Sequence, residues 1–592
     1  MSDIVAAWAR QARRQAASKV ATPKAAPKAP SQRRPPPPGP FFAPQSAEDA
    51  AKARRRNVLG GLILIAAAGL GYHNGMRKRD SILYAEPHAL LSNWSGTHIA
   101  TARRLYEPST RQELETVVRL AHTGDQPLRA AGALLSPNGA ALSAEAVVST
   151  ARLDRVLEID AERRTVRVQA GARVADVAAA LRPHGLTLAN YASIREQTVG
   201  GFVQAGSHGT GARLPPVDAQ VVGLTLVTPA EGCVELTRER DPELLALAGV
   251  ALGALGVVAE LTLACVPAHR LVETTTVERA ATVRARHAAR VREAKHLRYM
   301  WIPHTDAVVV VRCDELPAGG EAEAVAADTA PDPDAAAPLV ALAVASKVIA
   351  SAEDAAGMSP FDLRGLLLGR APLDATWVKR VNAAEAEYWQ RAAGTRVGWS
   401  DDILGFDCGG EQWVDEVCFR DGAVAAPGTA AMDYMSDLLK LIQRGALPAH
   451  APIEQRWTCG SPSRLSPAAG AADDLFSWVG IIQYRVPAPG DEADVGAQKP
   501  RIDAAFARYR HLVDEKVGRK YDARQHWAKL EPPEDPAELD ALRARLARQY
   551  PLEEFNALRR RFDPKNILAN DWLNALIPRV DVEEAATGEE AA

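Results

Sequence analysis

Gly206-Ser207-His208-Gly209-Thr210-Gly211 is the densest of four glycine-rich turns between Gly132 and Val258. The others are Gly132-Ala133-Leu134-Leu135-Ser136-Pro137-Asn138-Gly139, Gly200-Gly201 and Gly253-Ala254-Leu255-Gly256-Val257-Val258. A glycine lets backbone N–H groups approach a phosphate with no Cβ in the way. None of these turns has the spacing of a Rossmann fingerprint or a Walker A loop. Taken singly, each reads as an ordinary turn. Four in one stretch point to a large phosphate-bearing cofactor lying across the domain that holds them.

Around the turns the chain alternates helix and strand patterns, which predicts an α+β domain over residues 92–268. Ser109 and Thr110 ahead of Glu113 make a capping-box start, and Leu114, Val117 and Val118 follow on one helical face. Val156–Ile159 and Thr165–Val168 read as strands around a turn at Asp160–Arg163, and Val174–Leu181 reads as a helix ended by Gly185. Further on, Trp399, Trp413, Trp457 and Trp478 sit in stretches that predict a β-rich second domain over 269–550, with 551–578 completing the fold. Residues 314–340, rich in Ala, Pro, Asp and Glu, are expected to be a disordered insertion within it, and 579–592 an acidic tail of the same kind.

Lys and Arg number 70 and Asp and Glu 73 among 592 residues, a net charge of −3, which argues against a nucleic-acid binder. Six cysteines without a CxxC pair fit neither a disulfide scaffold nor a structural zinc site, and no metal is expected. Residues 1–57 are Arg-rich and acid-poor with a Pro-rich linker, the pattern of a transit presequence. Residues 58–73 form an uncharged run between the basic clusters Arg54–Arg56 and Arg77–Arg79. It is shorter than the roughly 20 residues a bilayer needs. Basic flanks that snorkel nevertheless suit a short membrane anchor.

Several long stretches carry a resemblance. NYASIREQTVGG at 190–201, GSHGTGARLPP at 206–216, GALGVVAE at 253–260 and HWAK at 526–529 resemble the aldonolactone oxidoreductases, FAD flavoproteins of the vanillyl-alcohol-oxidase type. SNWSGTH at 92–98, GWSDDILGFDCGG at 398–410 and APIEQRW at 451–457 are similar to the plant and algal dehydrogenases of that family. The resemblance implies a two-part (PCMH-type) FAD domain under a cap domain. It implies oxidation of L-galactono-1,4-lactone to L-ascorbate, with cytochrome c as electron acceptor, at the mitochondrial inner membrane facing the intermembrane space. The plant relatives are also implicated in assembling respiratory complex I, so a membrane-tethered assembly partner is a rival role. An oxygen-using aldonolactone oxidase of other specificity is a third.

The implied cofactor-binding residues are Gly132, Ala133, Leu134, Leu135, Ser136, Pro137, Ala192, Ser193, Gly200, Gly201, Ser207, His208, Gly209, Thr210, Val257, Val258, His526 and Lys529. An oxyanion developing on the lactone needs a cation in a water-poor site, and Arg456 offers a rigid fork of donors. Glu454, two positions away, shares a strand face with it and can position hydroxyls or accept a proton. An arbitrary Glu-x-Arg is a plain ion pair; the resemblance gives this one its catalytic reading. Lys529 is the candidate partner for charge on reduced flavin, with His526 in a secondary role. Leu135 stands where covalent relatives carry the flavin-bonding His, so FAD is expected to be non-covalent. Ala133 and Leu134 replace the Ser and Gly of the plant dehydrogenases, which is expected to shift the loop backbone. Ala192, Gly in many oxidases of the family, is the expected oxygen gate. Cys408 reads either as a redox-sensitive thiol near the substrate or as a small buried hydrophobe.

Overall fold

Thr110 starts the first helix of the fold, Arg111–Thr123, by accepting the Glu113 N–H, while Glu113 in turn takes the N–H and hydroxyl of Ser109 at 2.7 and 2.9 Å. The helix buries Leu114, Val117 and Val118. The capping pattern and the apolar spacing thus act together as the sequence predicts. The computed structural model describes residues 84–317, 332–406, 409–485 and 492–579, with the side chains of 492–497 left aside.

Three sheets carry the architecture. The first contains β1 (Ala85–Ser92), β2 (Ile99–Tyr106), β3 (Arg129–Ala131) and β4 (Ala146–Ser149) in the order β1-β2-β4-β3. The second contains β5 (Val156–Asp160), β6 (Thr165–Gln169), β7 (Leu186–Leu188), β8 (Val221–Thr228), β9 (Gly232–Thr237) and β10 (Val257–Pro267). Its order is β5-β6-β10-β8-β9, with β7 paired to β10. The turn between β5 and β6 is closed by the Arg163 N–H on Asp160 Oδ1 at 2.8 Å. The helix Val174–Leu181 runs on through a short 3₁₀ turn to Gly185, whose φ of +68° is the left-handed conformation a glycine takes without strain.

The third sheet has eight strands: β11 (Arg270–Arg279), β12 (His296–Trp301), β13 (Ala307–Glu315), β14 (Gly394–Trp399), β15 (Gln412–Ala423), β16 (Ile453–Cys459), β17 (Asp474–Tyr484) and β18 (Arg524–Gln525). Their order is β14-β11-β13-β12-β16-β17-β15-β18. Its register sets the site. Met300, Glu454, Gly480 and Glu416 stand opposite one another across β12, β16, β17 and β15, and the next row on that face is Arg298, Arg456, Trp478 and Cys418. Trp457 and Trp478 are fully buried here. A tryptophan of this kind hides 150–250 Å², worth roughly 4–6 kcal/mol at ~25 cal/mol/Å².

Both ends of the expected disordered insertion 314–340 are ordered. β13 continues through Asp314 and Glu315, and the helix Ala337–Ala345 seats Leu339 and Ala343 in the core. Val340, Leu342 and Val344 of that helix pack against the same core, partly buried. Residues 318–331 lie outside the described residues. So do the expected presequence 1–57, the expected anchor at 58–73, the tail beyond Arg579, and Cys408. Among the described residues no helix is long and apolar enough to cross a membrane.

The C-terminal segment is stitched back into the first domain. Buried Arg129 donates to the carbonyls of Ala140, Leu252 and Leu568, and the Leu128 N–H donates to Ile567 O. Asn138 holds the carbonyls of Trp527 and Leu530 at 2.8 and 3.0 Å.

Candidate active site

A cavity of about 320 Å³ separates the glycine turns from the face of the eight-stranded sheet. One wall is Gly132 to Pro137, Ala192, Ser193, Gly200, Gly201, Ser207, His208, Val257 and Val258. The sheet supplies the opposite wall through Met300, Gln412, Val414, Glu416, Glu454, Arg456, Gly480, Ile482 and Tyr484. His526, Trp527, Ala528, Lys529 and Trp572 close one side. Gly209 and Thr210 do not line this cavity. A Cβ on Gly209 would come within 2.2 Å of Asn190 Oδ1 and 2.4 Å of the Tyr191 carbonyl, so that glycine serves close packing. The Thr210 carbonyl receives the His296 ring at 2.6 Å instead.

The glycine wall fits a large polar cofactor. A Cβ on Gly132 would meet Thr198 Oγ1 at 2.2 Å, so any side chain there would displace Thr198. Thr198 Oγ1 and Gln197 Oε1 are buried, line the same wall and have no hydrogen-bond partner among the described residues. Buried polar atoms of this sort are normally satisfied, and a polar cofactor lying along this wall would offer them partners. Leu134 adopts φ +54°, the left-handed region, with its carbonyl fixed by the Trp94 N–H at 2.8 Å. A residue with a Cβ is disfavoured there by roughly 1–2 kcal/mol, so the departure from glycine is carried as strain in the turn.

The sheet wall is a charge cluster centred on Glu416, a residue the sequence reading passes over. Its Oε1 meets Arg456 Nη2 at 2.8 Å and His208 Nε2 at 3.1 Å, and its Oε2 meets Lys529 Nζ at 3.1 Å. Burial alone would raise its pKa, but Lys529, His208 and Arg456 overrule burial and hold the carboxyl well below the usual range. Glu416 therefore gathers Arg456 and Lys529, which lie on separate elements, around one carboxylate. Glu454 and Arg456 share the face that their spacing of two predicts. They approach to 3.4 Å, and the other oxygen of Glu454 meets Arg298 Nη1 at 3.5 Å. Arg298 in turn lies over the Phe406 ring at 4.1 Å, and the Phe406 N–H donates to Ser193 O at 2.8 Å. Arg456 Nη1 reaches Ser193 Oγ at 3.4 Å, which ties the two walls together.

His208 stacks on Trp478 with ring centres 3.7 Å apart. Burial, reinforced by Arg456 and Lys529, lowers its pKa to about 4 despite Glu416. The neutral ring has one proton to share between two acceptors, Glu416 and the Gly209 carbonyl at 3.0 Å. His526 is also held well below its ordinary value, chiefly by burial and then by Lys529, and its Nδ1 accepts the Ala528 N–H at 3.1 Å. His208, Glu416 and His526 bring ligand atoms within 4.8 Å of one another, a spacing that could hold a cation. Arg456 and Lys529 already neutralise the carboxylate, so the trio does not fit a resident metal. Ala192 lines the cavity beside Ser193, and so does Leu135.

The FAD binding domain family matches residues 102–237, and the D-arabinono-1,4-lactone oxidase family matches 261–330 and 371–576. The chain is 46% identical over 503 residues to L-galactono-1,4-lactone dehydrogenase 1, mitochondrial, of Oryza sativa subsp. japonica, covering 84% of this chain and 85% of that protein. It is 44% identical over 501 residues to the mitochondrial L-galactono-1,4-lactone dehydrogenase of Arabidopsis thaliana, covering 82% and 81%. L-gulonolactone oxidase of Bos taurus is 26% identical over 485 residues, 81% of this chain and 96% of that protein. Among solved structures, cholesterol oxidase from B. sterolicum superposes with a TM-score of 0.66 at 16% identity, over 84% of this chain and 97% of that one, a likeness of fold alone.

Proposed function

The chain belongs to the L-galactono-1,4-lactone dehydrogenase family of FAD-dependent aldonolactone oxidoreductases, and we propose on that premise that it oxidises L-galactono-1,4-lactone to L-ascorbate and passes the electrons to cytochrome c. FAD, when bound, supplies the two-electron acceptor. The Gly132–Pro137 turn, Thr198 and Gln197 hold it, and Leu135 leaves it without a covalent bond. Arg456 faces the reacting hydroxyls and stabilises the negative charge that develops as a proton leaves. Glu454 orients those hydroxyls and receives the proton at its carboxylate. Lys529 balances charge at the cofactor's edge, and Glu416 keeps Arg456 and Lys529 in place. Ala192 restricts oxygen, so the enzyme works as a dehydrogenase. The N-terminal segments deliver it to the mitochondrial inner membrane and anchor it there, with the folded part in the intermembrane space where cytochrome c is reached.

The observation that carries this reading is the pairing of Glu454 and Arg456 on the cavity face opposite Ala192 and Ser193. Purified protein given L-galactono-1,4-lactone should reduce cytochrome c, and acid precipitation should release all its yellow colour to the supernatant. A protein that contains flavin yet leaves cytochrome c oxidised would overturn the acceptor assignment. Colour retained in the pellet would overturn the non-covalent one.

A further inference from the structure

Beyond Glu454 and Arg456 the cavity has a second charged station. Gly480, Ile482 and Tyr484 follow one another on the same face of β17 and all line the cavity. Tyr484 lies roughly 13 Å along the strand from the Glu454 row, at ~3.4 Å per residue. At that end Arg364, on the helix Pro360–Arg370, donates to the Tyr484 hydroxyl at 2.7 Å and to Glu385 Oε1 at 2.9 Å, and its guanidinium stacks over the Tyr484 ring at 4.6 Å. Glu385, on the helix Ala375–Arg391, is 1% exposed and lines the cavity, and its Oε2 has no hydrogen-bond partner among the described residues. A buried, unpartnered carboxylate oxygen is costly, and of the buried carboxylates with such an oxygen among the described residues (Asp218, Glu278, Glu385, Asp415, Asp421 and Glu531) only Glu385 lines the cavity. A ligand hydroxyl is the group that would complete it.

The position of this station along the sheet decides which hydroxyl. It stands away from the reacting end, so it meets the part of the ligand that does not react. In a six-carbon 1,4-lactone that part is the exocyclic diol. Arg364 comes from residues 331–370, outside the segments that the D-arabinono-1,4-lactone oxidase family matches, whereas Glu385 lies within the matched 371–576. D-Arabinono-1,4-lactone has the same ring configuration as L-galactono-1,4-lactone and an exocyclic group one carbinol shorter. We propose that Glu385, held in place by Arg364, is the specificity residue that accepts the exocyclic hydroxyls of a six-carbon lactone, an assignment that rests on the lactone-oxidising reading above.

The test compares the holoenzyme's kcat/KM for L-galactono-1,4-lactone and D-arabinono-1,4-lactone. The wild type should prefer the six-carbon lactone at least tenfold. Glu385→Gln should lose about that preference through a higher KM for the six-carbon lactone, with the five-carbon lactone within twofold of wild type and FAD content unchanged. Arg364→Lys, which cannot hold both Glu385 and Tyr484, should weaken the preference several-fold. A wild type that treats the two lactones alike overturns the proposal without any variant. So does a Glu385→Gln enzyme that keeps the preference or loses equally on both substrates. Should Glu385→Gln not fold, the wild-type ratio and Arg364→Lys decide. A flavin-loaded wild type that oxidises neither lactone removes the lactone reading itself, whereas one that oxidises both equally removes only the role of Glu385.

Discussion

Gly132 and Glu416 face the same cavity from opposite sides. At Gly132 the wall works by omission: a single carbon would strike Thr198 Oγ1 at 2.2 Å. At Glu416 it works by concentration, with a guanidinium, an ammonium and an imidazole gathered round one buried carboxylate. The first wall offers shape and unspent hydrogen bonds, and the second offers charge in a dry setting where charge is strong. The contrast teaches that the two walls should fail differently. Damage to the glycine wall should cost cofactor, and damage to the sheet wall should cost chemistry.

Acid should have the largest effect, and it acts on the whole fold. Burial lowers His208, His296 and His450 to about 4 each. Their folded pKa values lie below the ordinary 6.5, so their stabilisation is complete above pH 6.5 and is lost as pH falls towards 4, by about 3 kcal/mol each. Asp415, on the other face of β15, has the opposite sign: burial raises it to about 7, so its contribution is lost as pH rises through 7. Thermal melting from pH 8 to 4.5 should show the acid-side fall, and Asp415→Asn should raise the melting temperature at pH 8 more than at pH 5. A melting temperature flat from pH 7 to 4.5 would contradict the histidine assignment.

Arg456→Ala comes next. Removal of one oxyanion donor costs about 2.7–4 kcal/mol in comparable sites, so flavin reduction by the lactone should slow by roughly 10²–10³ with FAD content preserved. Stopped-flow absorbance reads the rate and the protein-to-flavin ratio reads the content. Loss of both together would erase the distinction between the walls. Gly132→Ala should do the reverse through overpacking of about 1–3 kcal/mol. FAD affinity should fall about tenfold or more on reconstitution of apoprotein, while the fully loaded variant reduces at near the wild-type rate. The smallest structural change is Ala192→Gly. Reduction by lactone should stay within about twofold, while reoxidation in air-saturated buffer accelerates, because removal of one methyl opens a path in a closely packed wall. Equally slow reoxidation in both proteins would show that this methyl is not the gate.

The sequence discloses the two walls unequally. Glycine turns announce themselves locally, and of the cofactor-binding residues that the resemblance implies, all but Gly209 and Thr210 line the cavity. The spacing of Glu454 and Arg456 on a strand gives their common face, and the family resemblance of APIEQRW is what marks them as more than an ion pair. Glu416 is not legible: Asp415 and Glu416 are adjacent acids in one strand, and only the register of β15 against β17 turns Glu416 inward. Arg364 and Glu385 are invisible for a related reason, since they lie on helices that reach the cavity only once the cap has folded. Chemistry built from contacts distant in sequence leaves no local signature, whereas a turn does.

The stitching of the C-terminal segment has a consequence for truncated chains. His526 to Lys529 and Trp572 complete a cavity whose first wall is synthesised at Gly132, and Asn138 and Arg129 clasp carbonyls that follow them by 389 and 439 residues. A chain that stops short of His526 lacks one side of that cavity. A chain truncated upstream of His526 should therefore bind little flavin, which the loss of yellow colour from the purified fragment would read.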